Sequence, residues 1–242
     1  MTRHETTPHT MTRHLMTFSG KRMAKDPKGL IGCGCLIFVL VICVILAGLL
    51  VHPYSLRLLG NRFYYQDRIM PADAIFVPRF PEDKNGELYV DAFRQYWEGN
   101  GKSIWVEEDQ VFGFAMKDIV TRMAHERGVK PGAIRSIDLS GDDLTKAARV
   151  REVFAKQGIR KAVLVVPEYS SRRYHSLYGT EGPGGGRSII FFIKSVHVPY
   201  FQADKWWRDD VSRTIMMREL SRLVMLRVDR FKYGDRGAAD KE

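Results

Sequence analysis

From Gly29 to Val51 the chain reads GLIGCGCLIFVLVICVILAGLLV, 23 apolar residues without one charge. As a helix this run rises roughly 34 Å, and a bilayer's hydrocarbon core is about 30 Å thick, so it is long enough to cross with a slight tilt. A core helix of a soluble domain would be shorter and would show a polar edge. A cleaved signal peptide fits no better, because the run is about twice the usual apolar region and no A-x-A-like site follows Val51. The expectation is an uncleaved, single-pass anchor whose first partner is the lipid bilayer. Lys21, Arg22, Lys25 and Lys28 crowd its amino-terminal flank, whereas Arg57, Arg62 and Arg68 are sparser beyond it. The positive-inside rule then puts the amino terminus in the cytoplasm and exports the larger part across an inner or plasma membrane.

Around the anchor the chain divides into a basic tail at 1–28, expected to be disordered, the span at 29–51, a connector at 52–71, an α/β domain at 72–231 and a second irregular tail at 232–242. Phe63, Tyr64 and Tyr65 of the connector are placed to rest at a bilayer interface. All three cysteines, Cys33, Cys35 and Cys43, lie in the apolar run, so the domain has none for a disulfide or a thiolate metal site. No metal centre is expected, and no cofactor is indicated. The net charge of +10 is shared between the amino-terminal flank and the domain. With no recognised nucleic-acid motif beside it, that charge points to anionic lipid or phosphate and away from nucleic acid.

Beyond the connector, apolar runs alternate with helical patterns. Strands are expected at Ala72–Val77, Ser103–Val106, Ala133–Ile137, Lys161–Val166 and Ser188–Ile193. Helices are expected at Glu87–Glu98, Val111–Arg127, from about Asp142 to Gly158, at Tyr169–Tyr178 and at Asp204–Phe231. The fold class that follows is α/β, a mainly parallel Rossmann-like sheet with helices on both faces, preceded by one transmembrane helix. Right-handed crossovers end all parallel strands on one rim, where ligands of such sheets bind.

The residues just after the strands are Arg79; Glu107, Glu108 and Asp109; Asp138 to Asp143; and Glu168 to Arg173. Arginines there can grip phosphate or carboxylate in bidentate fashion. Helix starts also favour acidic residues for capping alone, so Asp142 and Asp143 have a second explanation that needs no ligand. The glycine-rich EGPGGGR, Glu181–Arg187, lacks the Lys-Ser/Thr ending of a phosphate loop and precedes a strand, so it reads as a mobile loop. Trp206 and Trp207 are expected to pack on the sheet edge.

Four stretches in this order carry a family resemblance: ADAIFV, RGVKPGAIRSIDLSGDDLTKAARV, KAVLVVPEYSSRRYHSLY and WWRDDVSRTIMMREL. Together they resemble the SanA/ElyC/YdcF-like family of bacterial envelope proteins, whose domain often follows an amino-terminal membrane helix. The resemblance implies a role in envelope integrity or precursor metabolism, with an anionic, lipid-linked precursor as partner. The strand-end positions, read with the resemblance, give Arg79, Ser140, Asp142, Asp143, Tyr169, Ser170, Arg172 and Arg173 as the candidate ligand-binding residues. This chain departs from the pattern at several of these places. Pro78 and Arg79 replace a glycine turn, and Val166, Pro167 and Ser170 stand where Thr, Ser and His would be. A histidine suited to proton transfer near neutral pH is thereby lost, which leans toward a divergent, non-catalytic binder. The alternative is a hydrolase or transferase acting on phosphate-bearing or nucleotide-like substrates, with Glu107, Glu108 or Glu168 as base.

Overall fold

The computed structural model describes the backbone at 27–111, 113–179 and 189–239, and side chains over that range except at 27–34, 50 and 230–239. The expected tail up to residue 26 and the EGPGGGR loop lie outside the described residues. The chain separates into two compact units, Met1–Gly48 and Leu49–Glu242. The first is carried by helix α1, Pro27–Val51, which contains the whole apolar run. Among the described residues no single helix is long and apolar enough to cross a membrane; Cys35–Leu49 and Pro53–Asn61 reach that length and composition only as a pair broken by a sharp bend.

Within the second unit part of the connector packs on the domain. Pro53–Asn61 forms helix α2, capped by His52, whose Nδ1 accepts the Tyr54 N–H. Leu56 and Leu59 pack on the domain core, and Trp206 donates from Nε1 to the Leu56 carbonyl at 2.8 Å. Phe63 is buried in the same core, which corrects its expected place at a bilayer interface: an apolar ring with a pocket in its own domain needs no lipid. Trp206 likewise packs on α2.

The main sheet has five parallel strands: β1 Ala74–Val77, β2 Ile104–Glu107, β5 Ile134–Ile137, β6 Lys161–Pro167 and β7 Ile190–Val196. Their spatial order is β5-β2-β1-β6-β7, so the direction of crossover reverses between β1 and β6. β1, β2 and nearly all of β6 are buried along their whole length, as runs covered on both faces must be. Helix α3, Glu87–Trp97, lies on one face, where buried Asp91 feels the Lys194 charge from β7. Helices α5, Asp143–Lys156, and α6, Ser171–Tyr178, cover the other, and Phe154 of α5 meets Phe76, Trp105 and Phe191 there.

Several element boundaries differ from expectation, among them the start of the last helix, expected near Asp204 and found at Asp210, and the start of β1, expected at Ala72 and found at Ala74. Strands β3 Gln110–Val111 and β4 Phe114–Ala115 pair as a small antiparallel ladder where a helix was expected. Gly113, just before β4, has a φ of 80°, a conformation that breaks a helix and suits glycine; helix α4 then starts at Met116 and ends at His125. β7 continues three residues past Ile193, to Val196. The last helix, α7, runs from Asp210 to Ala239, into the stretch expected to be irregular.

The start of α3 carries a pH-sensitive pair. Asp83 accepts the N–H groups of Glu87 and Leu88, at 2.9 and 3.0 Å. Burial and a hydrogen bond with the Glu87 side chain push the Asp83 carboxyl up to about 7, while that contact lowers Glu87. The two therefore hold one proton between them. In the unfolded chain both carboxyls are ionised by about pH 5, so from about pH 5 to 7 the folded protein keeps an extra proton and stability falls as pH rises. Glu87 has the opposite sign, its contribution being lost as pH falls through its lowered value. Asp83 is partly open to water, which reduces the expected loss to about 1 kcal/mol over the window. Urea midpoints at pH 5 and above pH 7 measure it, and Asp83→Asn should flatten the difference; a midpoint that climbs with pH would contradict the shared proton.

Candidate functional site

Because the sheet is parallel, the tips of β1, β2 and β5 open on the same side, and over them lies a basin of about 580 Å3. Its size is that of a small-molecule site, but its wall is polar. Arg79 enters from β1, Glu107 to Gln110 from β2 and β3, Asp138 and Leu139 from β5, Asp143 and Lys146 from α5, Tyr174 from α6 and Arg222 from α7. Three cations thus face five carboxylates.

Much of this charge is already paired. Glu107, almost fully buried, has both oxygens engaged: Oε2 accepts the Arg79 N–H at 2.9 Å and Oε1 meets Lys146 Nζ at 2.7 Å. Arg79 closes an ion pair with Asp109. Asp143 receives Arg173 Nη1 at 2.6 Å. Glu108 is different, since its Oε1 is buried and has no hydrogen-bond partner among the described residues. Such an oxygen loses its water without compensation, and a ligand hydroxyl or ammonium donor would supply it. Arg222 is exposed, with only a long contact of 3.4 Å to Glu219. Arg222 and Glu108 are the groups on the wall best able to meet a ligand.

The crevice between the tips of β1 and β6, where sheets of this order usually bind ligands, is filled from within. Phe80 packs against Tyr174 and Tyr169, with centroids 5.6 and 6.2 Å apart. Behind them Arg173, 1% exposed, donates from Nε and Nη2 to Glu219, which is equally buried. Burial works against the Arg173 charge, but Tyr174, Glu219 and Asp143 outweigh it and hold the guanidinium protonated. Arg173 is therefore a buried tie between α6 and α7, which corrects its expected role as a ligand clamp.

The other expected site residues separate by place. Arg79, Glu107, Glu108 and Asp143 come together at the basin. Asp142 caps α5, accepting the Thr145 N–H at 2.7 Å, and its bonding to Thr145 lowers its pKa, so the capping explanation holds for it. Ser140 is exposed and lines none of the described cavities. Ser170 is sealed in the core and donates to the Pro167 carbonyl, which removes it as a ligand or nucleophile. Arg172 points away from the basin, over the Tyr65 ring at 5.8 Å. Glu168 and Tyr169 line a separate cavity, so the three glutamates do not form one catalytic group. Among the described residues no cluster of histidine, cysteine and carboxylate groups is arranged to hold a metal ion. Lys146, Asp138 and Arg222 belong to the basin and were not expected as its binding residues. Lys146 and Asp138 were legible from their closeness to strand ends; Arg222 arrives from the middle of α7, far along the chain from any strand end, and no local pattern marks it.

No known family pattern and no curated protein matches the chain. Among solved structures, a universal stress protein in complex with cAMP is similar over 53% of this chain and 99% of its own, at 16% identity and a TM-score of 0.32.

Proposed function

We propose that this protein is a divergent member of the SanA/ElyC/YdcF-like group, a membrane-anchored factor of cell-envelope biogenesis or integrity that binds an anionic, lipid-linked precursor at the rim basin without turning it over. The observation that carries the reading is the mixed wall of the basin. Arg222 suits a phosphate, which Arg79 would join by exchanging its Asp109 contact for the ligand, and the unpartnered Glu108 oxygen suits the hydroxyls of a sugar or glycerol unit beside it. The anchor reading rests on the uncharged run Gly29–Val51 and the basic residues before it, which would keep the amino terminus cytoplasmic. Absence of turnover is supported by the engagement of Glu107 and the burial of Ser170, which leave neither free to act on a substrate.

A thermal-shift series with inorganic phosphate, a nucleoside-diphosphate sugar and a polyprenyl phosphate tests binding. A probe present at about 100 times its Kd should raise Tm by roughly 5–10 °C. Arg79→Gln combined with Arg222→Gln should abolish that shift, and a shift that survives both changes would move the ligand elsewhere. The second reading, a hydrolase or transferase, is favoured by Glu108 alone, because a half-buried carboxylate with one oxygen unpartnered among the described residues could take the proton of a hydroxyl bound beside it. Product release from any of these probes that Glu108→Gln reduces at least a hundredfold would establish that reading over the first.

A further inference from the structure

A second cavity, of about 100 Å3, lies apart from the basin, at the tip of β6. That volume holds about three waters, room for a small head group and too little for a sugar ring. Its wall combines aromatic rings with one acid: Tyr64, Tyr169 and Phe201 surround Glu168, and Gly60 and Asn61 close it from α2. Tyr169 and Phe201 are both 1% exposed, with ring centroids 5.0 Å apart and planes inclined at 60°, so they make a fixed corner. Tyr64, 52% exposed, is the outer wall, its hydroxyl donating to Gln66 Oε1 at 3.0 Å.

Glu168 is under-compensated in this setting. Its Oε1 lies 3.0 Å from Nδ1 of His197, which follows β7 as Glu168 follows β6, but the imidazole is itself exposed and charged only when protonated. Oε2 takes no hydrogen bond among the described residues and stays open to solvent, where a guest can reach it. Burial raises the carboxyl pKa, with His197 opposing that rise. An anion here would be repelled by Glu168, and an uncharged guest would leave its lost hydration unrelieved. A cation meets both conditions at once: it neutralises the carboxylate, and Tyr64, Tyr169 and Phe201 are the aromatic residue types that attract such a charge.

We infer that the cavity formed by Tyr64, Glu168, Tyr169 and Phe201 binds a small organic ammonium group, the chemistry shared by free choline or ethanolamine and by zwitterionic lipid head groups. This site is independent of the anionic ligand proposed for the basin. Choline is the probe, titrated into the full chain in maltoside micelles and followed by ligand-detected NMR, beside its uncharged isostere in which carbon replaces the nitrogen. Choline should bind at least tenfold more tightly than the isostere, and Glu168→Gln and Tyr64→Ala should each weaken it at least tenfold. Both variants should keep the wild-type Tm to within a few degrees, since Tyr64 is exposed and Gln is isosteric with Glu. Repeating the titration in phosphatidylglycerol nanodiscs, with and without phosphatidylcholine, separates the sources. Competition by the phosphatidylcholine discs identifies a lipid head group, and its absence identifies a free ammonium compound. No choline binding in either medium, equal binding of the isostere, or an affinity unchanged in Glu168→Gln would overturn the assignment.

Discussion

Replacing Arg173 with methionine is expected to lower folding stability by about 3–5 kcal/mol, the effect of leaving one member of a buried ion pair without its partner. Arg173 and Glu219 are each 1% exposed and joined by two hydrogen bonds, of 2.7 and 3.1 Å. Removing the guanidinium leaves the buried Glu219 carboxylate between α6 and α7 with only the long 3.4 Å contact to Arg222 among the described residues. The matched double change, Arg173→Met with Glu219→Leu, should recover most of the loss, because a pair of apolar side chains leaves no buried charge behind. Asp143 then loses its partner too, but it is partly exposed and can be hydrated. Urea unfolding of the full chain, followed by tryptophan fluorescence, distinguishes the two variants. A loss below about 1 kcal/mol for Arg173→Met would mean that the pair is hydrated in solution and that the α6–α7 tie is not what holds this side of the rim.

The second large effect is expected at Gly60. A Cβ added there would collide with the Ala203 carbonyl oxygen and would stand 3.0 Å from Trp206 Cδ1. The backbone oxygen cannot move aside as a flexible side chain could, so Gly60→Ala should cost about 1–3 kcal/mol through overpacking. The damage should be local at first. Trp206 donates to Leu56 across the same contact, so α2 would lift from the domain and the tryptophan emission would shift to the red before global unfolding. An unshifted spectrum with unchanged stability would show that α2 is loosely attached. The same substitution disturbs the ammonium cavity, whose floor includes Gly60 and Ala203, while leaving the rim basin intact. It therefore offers a way to affect one proposed site and not the other.

Strand identity was legible because buried parallel strands are short, uninterrupted apolar runs: ADAIFV, SIWV and KAVLVV each announced a strand of the observed sheet. Boundaries were less so. The end of β7 was expected at Ile193, since Lys194 and Ser195 break the apolar run, yet edge strands tolerate alternating polar residues and this one pairs with β6 as far as Val196. The three missing residues hid His197, which falls on the rim only once the true end of the strand is known. The β3–β4 ladder was hidden for a related reason: the residues from Val111 to Arg127 carry helical periodicity throughout, and only the left-handed Gly113 shows where the chain turns first.

Local chemistry in one dimension settled the apolar helix, the alternation of strands and helices, the acidic cap of α5 and the charged composition of the strand tips. Each depends on residues within a few positions of one another, and so on propensity, periodicity and hydrogen bonds that close over short spans. Which of those charged groups are free was decided only by packing. Arg173 and Arg222 read alike as arginines, but the fold buries one against Glu219 and leaves the other open over the basin. Glu107 and Glu108 are neighbours in sequence, and the fold turns one toward Lys146 and leaves an oxygen of the other without a partner among the described residues. Burial and pairing of charge are long-range properties of the folded chain, and they separate residues that composition and spacing make equivalent.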